Sequence, residues 1–131
     1  MKRVTGIGGI FFKSKDPKAL TDWYASHLGV PIGEHGEVMF QWRGAEHPAE
    51  EGVTVWAPFP EDTDYFEPTK AAFMVNYRVD DLDALLEALK AEGVEIDPKR
   101  EDFDYGRFAW IIDPEGNRIE LWEPPKGQQT A

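Results

Sequence analysis

The sequence predicts an α+β fold: two tandem β-α-β-β-β modules forming a curved mixed sheet, with a central cavity and the helices outside. Three observations predict it. Helix signals recur at a fixed interval, because Asp16, Gly29, Val30 and Ile32 have counterparts in Asp80, Gly93, Val94 and Ile96, each 64 residues later. The two halves also close alike, Val53-Thr54-Val55-Trp56-Ala57-Pro58 being echoed 66 residues on by Ile119-Glu120-Leu121-Trp122-Glu123-Pro124. Between these landmarks, apolar residues alternate with the period of strands. One such module cannot cover both faces of its sheet, whereas two can pair, and the seam between related units is a natural cleft. The expected organisation is a single domain with modules at about 4–59 and 71–124, a linker at 60–70 and a polar, mobile tail at 125–131.

Each element has its own signal. Val4 to Lys13 reads as a strand in which Gly6, Gly8 and Gly9 mark close approach of another backbone or a ligand. These glycines lie inside the strand rather than between strand and helix, so they are not a phosphate loop. Asp16-Pro17 supplies an N-cap and a first-turn proline; Leu20, Trp23, Tyr24, His27 and Leu28 follow at helical spacing, and Gly29 ends the helix. Short strands are expected at Val30 to Glu34, Glu37 to Arg43 and Gly52 to Phe59, with a polar loop from Gly44 to Glu51. Pro58, Pro60 and Pro68 punctuate the acidic linker Pro60 to Lys70, which joins the halves.

In the second half, Ala71 to Val79 alternates as a strand. Leu82, Leu85, Leu86 and Leu89 then form the i, i+3, i+4, i+7 stripe of a helix packed on a sheet. Strands are expected at Val94 to Ile96, Arg107 to Ile112 and Arg118 to Glu123, the last two joined by the turn Asp113-Pro114-Glu115-Gly116-Asn117. The loop Glu101 to Gly106 offers a flexible glycine for a lid and Tyr105 as a proton donor.

Composition narrows the chemistry. Apolar residues make up 41% of 131, with 8 Phe, 5 Trp and 4 Tyr, enough for a packed core. The absence of cysteine excludes disulfides, thiolate metal sites and cysteine nucleophiles. No apolar run approaches the length of a membrane span, and Met1-Lys2-Arg3-Val4-Thr5-Gly6 lacks the apolar core of a signal peptide, so a soluble cytoplasmic protein is expected. A net charge of −11 would repel nucleic-acid phosphates and serves chiefly solubility. His35, Glu37, Glu46, His47 and Glu50 gather around one hairpin, where solvated surface residues outweigh a metal site. His27 ends a helix, where the dipole favours an imidazolium.

Trp23-Tyr24 and Leu28-Gly29-Val30 within Asp16 to Val30, the stretch Met74 to Gly93, and Asp113-Pro114-Glu115-Gly116-Asn117-Arg118-Ile119-Glu120-Leu121 carry a likeness in their order and spacing. Over about residues 4–124 the chain resembles the vicinal oxygen chelate superfamily, the glyoxalase, bleomycin-resistance and dioxygenase proteins. In the metal-dependent members four sheet positions supply ligands. The resemblance places them here on Gly9, Thr54, Met74 and Glu120. Glycine has no donor and a thioether suits hard cations poorly, so no metal and no cofactor are expected.

Alternation from those four positions gives the cavity-facing set: Phe11 and Lys13, Trp56 beside Thr54, Asn76 and Arg78 beside Met74, and Trp122 beside Glu120. Trp110 and Trp42 are candidates for its wall. Ile10, Phe12, Val53, Val55, Phe73, Val75, Tyr77, Ile119 and Leu121 are assigned to the helix-covered face. The ligand-binding candidates are therefore Phe11, Lys13, Thr54, Trp56, Met74, Asn76, Arg78, Trp110 and Trp122, and the catalytic candidate is Glu120. The opposing view makes Trp56 and Trp122 core fillers and pairs Glu120 with Arg78 or Lys13.

Three functions follow. The first is a metal-free module that binds a small organic ligand between the halves. The second is a lyase or isomerase using Glu120 as acid or base, with or without a metal held elsewhere. The third is a scaffold with a filled cavity. The resemblance further implies a homodimer.

Overall fold

The structure, a computed structural model, describes residues 3–44, 49 and 51–125. Glu46, His47 and Glu50 of the hairpin cluster, and residues 126–131 of the tail, lie outside the described residues. The elements run β1 (Val4–Ser14), α1 (Pro17–Leu28), β2 (Val38–Arg43), β3 (Glu51–Pro60), β4 (Phe73–Val79), α2 (Leu82–Ala91), β5 (Glu95–Phe103), β6 (Gly106–Ile112) and β7 (Arg118–Glu123). No helix is long and apolar enough to cross a membrane.

Seven strands form one mixed, unclosed sheet in the order β2-β3-β1-β4-β7-β6-β5. The modules meet at its centre, where β1 and β4 pair antiparallel, while β1–β3 and β4–β7 are the parallel pairs within each module. Cross-strand partners share a face, so the register Val55–Gly9–Asn76–Glu120–Trp110 traces one row across the sheet. The other face carries the helices. There α2 buries Leu82 and Leu85 against Val79, Ala109 and Leu121, with Tyr77, Ile111 and Ile119 packed alongside. Helix α1 contacts β3 and β1, and its Tyr24 ring lies 4.7 Å from Trp56.

Each helix follows an aspartate that accepts from the backbone three residues on, Asp16 from Ala19 N (3.1 Å) and Asp81 from Ala84 N (3.0 Å). The second cap is therefore Asp81 rather than Asp80. Losing it exposes an amide of the first turn, so Asp81→Ala is expected to cost about 1 kcal/mol. Asp80→Ala, at an exposed position outside the helix, should stay within about 0.5 kcal/mol. Urea unfolding of the two variants measures the difference, and equal losses would contradict this assignment.

Two expected strands differ. Val30 to Glu34 is reduced to a single bridge, Ile32 to Val38, because Pro31 brings no amide and the chain turns back at once, Gly33 N donating to Glu37 O (2.7 Å). Conversely, the strand expected at Val94 to Ile96 continues to Phe103. A register shift between Ile96 and Arg100 accommodates Pro98 on this edge strand. The loop expected at Glu101 to Gly106 contracts to the two residues Asp104 and Tyr105, since Phe103 already pairs with Gly106. Gly106 has φ +142°, and a Cβ there would overlap the Trp122 indole, so the hairpin needs glycine at this point.

The connecting segment between β3 and β4 is not a bare linker. Phe66 is fully buried with Phe11, Met74 and Trp110, and Val55, Ala57, Phe59, Tyr65 and Phe108 pack around them. The segment thus plugs one end of the sheet face opposite the helices.

Candidate functional site

The helix-free face keeps an open cavity of about 380 Å³ beside that plug. Its walls are aromatic, from Phe11, Phe59, Tyr65, Phe103, Tyr105, Phe108 and Trp122, with Gly8, Val55, Asn76, Glu101 and Glu120 completing the lining. Phe108 and Trp122 face each other across paired β6 and β7 with ring planes 4° apart. The Trp122 indole N–H donates to Tyr105 O (3.0 Å), fixing the β5–β6 hairpin as a wall rather than a loop. Gly8 is the extra residue where β1 shifts register against β4, and a Cβ there would overlap the Asn76 amide oxygen.

Glu120 lies 2% exposed on the cavity floor. Asn76 Nδ2 donates to its Oε1 (2.5 Å), while Trp110 Nε1 (3.0 Å) and the Tyr65 hydroxyl donate to its Oε2. Among the described residues no lysine or arginine forms an ion pair with it; Arg118 is paired with Asp97 (3.3 Å) and donates to Glu67 O (2.6 Å). Burial pushes the Glu120 carboxyl above its ordinary range, against the pull of the three donors and the Arg118 charge. The Tyr65 hydroxyl is pushed far up by its own burial and by the carboxylate beside it, so it stays a proton donor to Glu120. Asn76 Oδ1 is buried without a partner among the described residues.

The sequence-derived candidates fall into three groups. Phe11, Asn76, Glu120 and Trp122 line the cavity together. Met74 and Trp110 share its face as solid packing, 1% and 0% exposed, and Lys13 rests over the Phe66 ring (5.8 Å). Arg78 is not part of the lining, but its guanidinium lies 5.2 Å from the ring of Trp122, which is, and 5.5 Å from that of Trp42. Thr54 and Trp56 lie elsewhere. Trp56 packs on α1, and Thr54 accepts from Trp42 Nε1 (2.8 Å) and donates to Ile7 O (2.5 Å). Val55 and Phe59 take their place on the cavity wall because Gly9 registers with Val55, which inverts the face assigned to β3. Neither Arg78 nor Lys13 neutralises Glu120. Tyr65 was hidden by its acidic, proline-flanked surroundings; the only signal for it was an adjacent aromatic pair, Tyr65-Phe66, in an otherwise polar stretch.

Comparison with known proteins agrees with this architecture. Residues 6–121 match the family profile of the Glyoxalase/Bleomycin resistance protein/Dioxygenase superfamily. The chain belongs to this superfamily. Methylmalonyl-CoA epimerase from Mycobacterium tuberculosis shares the fold at 22% identity, with a TM-score of 0.62 over 100% of this chain and 95% of that one. A variant of the Streptomyces coelicolor epimerase, in complex with 2-nitronate-propionyl-CoA, gives 0.66 at 15% identity over 98% and 99%. The Mn(II)-bound glyoxalase from Novosphingobium aromaticivorans gives 0.57 at 22% identity over 94% of this chain and 40% of that one. At these identities the likeness is one of fold. No protein of curated function matches the chain in sequence.

Of the four positions at which the resemblance places metal ligands, three are Gly9, Thr54 and Met74. Gly9 has no donor, Met74 is packed in the aromatic cluster, and the sheet sets Val55 rather than Thr54 beside Gly9. Around Glu120 the neighbours are N–H and O–H donors aimed at the carboxylate, an arrangement that meets an anion rather than a cation. Among the described residues, no three His, Asp or Glu side chains converge as a ligand set.

Proposed function

We propose that this superfamily member binds a small organic molecule in the cavity between its modules. One observation carries the proposal: an open space of about 380 Å³, walled by aromatic rings, with a few directed polar groups at its floor. Mostly apolar walls with sparse, fixed polar groups are the ordinary form of a small-molecule site, and the volume suits a ligand of one or two fused rings. The fold expected as two modules at 4–59 and 71–124 supplies the seam.

Tryptophan fluorescence across a panel of small aromatic and aliphatic compounds tests it. Saturable quenching is expected, retained in Trp56→Phe and largely lost in Trp122→Phe, because only Trp122 lines the cavity. Quenching carried by Trp56, or none from any compound, would contradict the proposal.

A second reading, a lyase or isomerase using Glu120 as acid or base, is favoured by the same carboxyl's raised pKa within the cavity. Turnover lost in Glu120→Gln with ligand binding retained would support it; turnover unchanged would remove Glu120 from the chemistry. We propose in addition that the chain pairs with a second copy, since Ile7, Ile10, Trp23 and Phe73 stay exposed on the helix-bearing face. A sedimentation coefficient of a monomer at micromolar concentration would argue against pairing.

A further inference from the structure

All six arginines of this acidic chain are described, and five of them meet carboxylates. Arg3 pairs with Glu92, Arg43 with Glu51, Arg100 with Asp83 and Asp102, Arg107 with Asp83, and Arg118 with Asp97. Arg78 is the exception. Among the described residues its guanidinium neither pairs with a carboxylate nor donates a hydrogen bond, although the chain holds 25 acids against 14 bases.

Its position is nonetheless built. The guanidinium lies between the Trp42 and Trp122 rings, at 5.5 and 5.2 Å. Glycines make room for this stack: a Cβ at Gly6 would meet the Trp42 ring at 2.6 Å, one at Gly52 would meet it at 2.5 Å, and one at Gly8 would meet Trp122 at 2.9 Å and Arg78 Cγ at 3.1 Å. Contact with two indole rings holds the guanidinium without using its N–H donors. Trp122 and Gly8 also line the cavity, and Arg78 follows Asn76 by two positions on the same face of β4.

We infer that Arg78 is the anion subsite of this cavity, which takes an organic carboxylate or phosphate whose aromatic body lies along Trp122. The inference rests on the cavity being the ligand site. A planar fork with free edge donors matches a carboxylate or phosphate in bidentate fashion. A cationic ligand fits less well, because both oxygens of Glu120 are already engaged by Tyr65, Asn76 and Trp110. Asp80 acts on the Arg78 charge at short range, and Glu101 and Glu120 line the cavity, so the anion has to sit on the Arg78 side of the space; salt at physiological strength screens acids beyond about 8 Å.

Calorimetric titration with 2-naphthoate, 2-naphthyl phosphate and the neutral 2-naphthamide tests the inference, and the two anions tell carboxylate from phosphate. At least one anion should bind the wild type tenfold or more tightly than the amide. Arg78→Gln should abolish that preference and leave the amide affinity within about twofold. As a check that needs no variant, the Arg78 Nε–Hε NMR signal should shift saturably with the preferred anion while those of the five paired arginines stay. Equal binding of anions and amide, with no selective shift at Arg78, would overturn the subsite but leave the cavity as the ligand site. No binding by any of the three, with no shifted signal, would overturn both.

Discussion

Phe66→Ala is expected to destabilise the protein by about 3–5 kcal/mol, the range for truncating a fully buried aromatic. Phe66 has no exposed surface, and its ring contacts those of Phe59 (5.3 Å) and Tyr65 (6.3 Å) within the cluster of Phe11, Met74 and Trp110. Removing it would leave a void at the joint between the modules and release the segment that carries Tyr65. The control is Phe73→Ala, because Phe73 is 50% exposed and should cost about 1 kcal/mol or less. Urea unfolding with unchanged m-values checks both. A loss below about 1 kcal/mol at Phe66 would mean that the segment between β3 and β4 is a dispensable connector.

That segment shows where the sequence was legible and where it was not. The repeat of Asp16 to Gly29 by Asp80 to Gly93 identified both helices, and the alternation of β4 placed Met74, Asn76 and Arg78 on the face opposite Val75 and Tyr77, as the register with β1 and β7 has it. Local chemistry sufficed there, since caps, glycine stops and strand periodicity act over a few residues. Three features depended on distant partners. Pairing Thr54 with Glu120 through the closing repeat was one residue out, because the sheet sets Val55 beside Gly9 and Glu120 beside Asn76. A one-residue slip in a strand turns every side chain to the other face, so Thr54 and Trp56 exchanged sides with Val55. Gly8 adds a bulge that strand periodicity cannot count, and Tyr65 reaches Glu120 from 55 residues away.

Glu120 was singled out as the catalytic candidate, but its surroundings give it a structural part that two substitutions separate from a functional one. Glu120→Leu removes the acceptor shared by Tyr65, Asn76 and Trp110 and strands two buried donors and a half-buried one, so a loss of about 3 kcal/mol or more is expected. Glu120→Gln should behave differently. Its amide oxygen can accept from Tyr65 and Trp110, and a turned Asn76 amide then accepts from the new N–H₂, giving a partner to the Oδ1 that is orphaned in the native chain. The pH dependence follows from the raised carboxyl. The folded state holds the Glu120 proton more tightly than the unfolded state, whose value is near the ordinary 4.5. The Glu120 contribution to stability is therefore fully present below about pH 4.5, declines as pH rises through the higher folded value, and stays lost above it. Glutamine does not titrate, so the stability of Glu120→Gln relative to the native chain should rise with pH across that window and then level off. Urea unfolding of the three proteins at pH 4.5 and pH 8 measures this. A native-minus-Gln difference that is the same at both values would show that burial does not tax the Glu120 charge. The carboxylate would then be a stable fixture of the floor rather than a group poised to exchange a proton with a ligand.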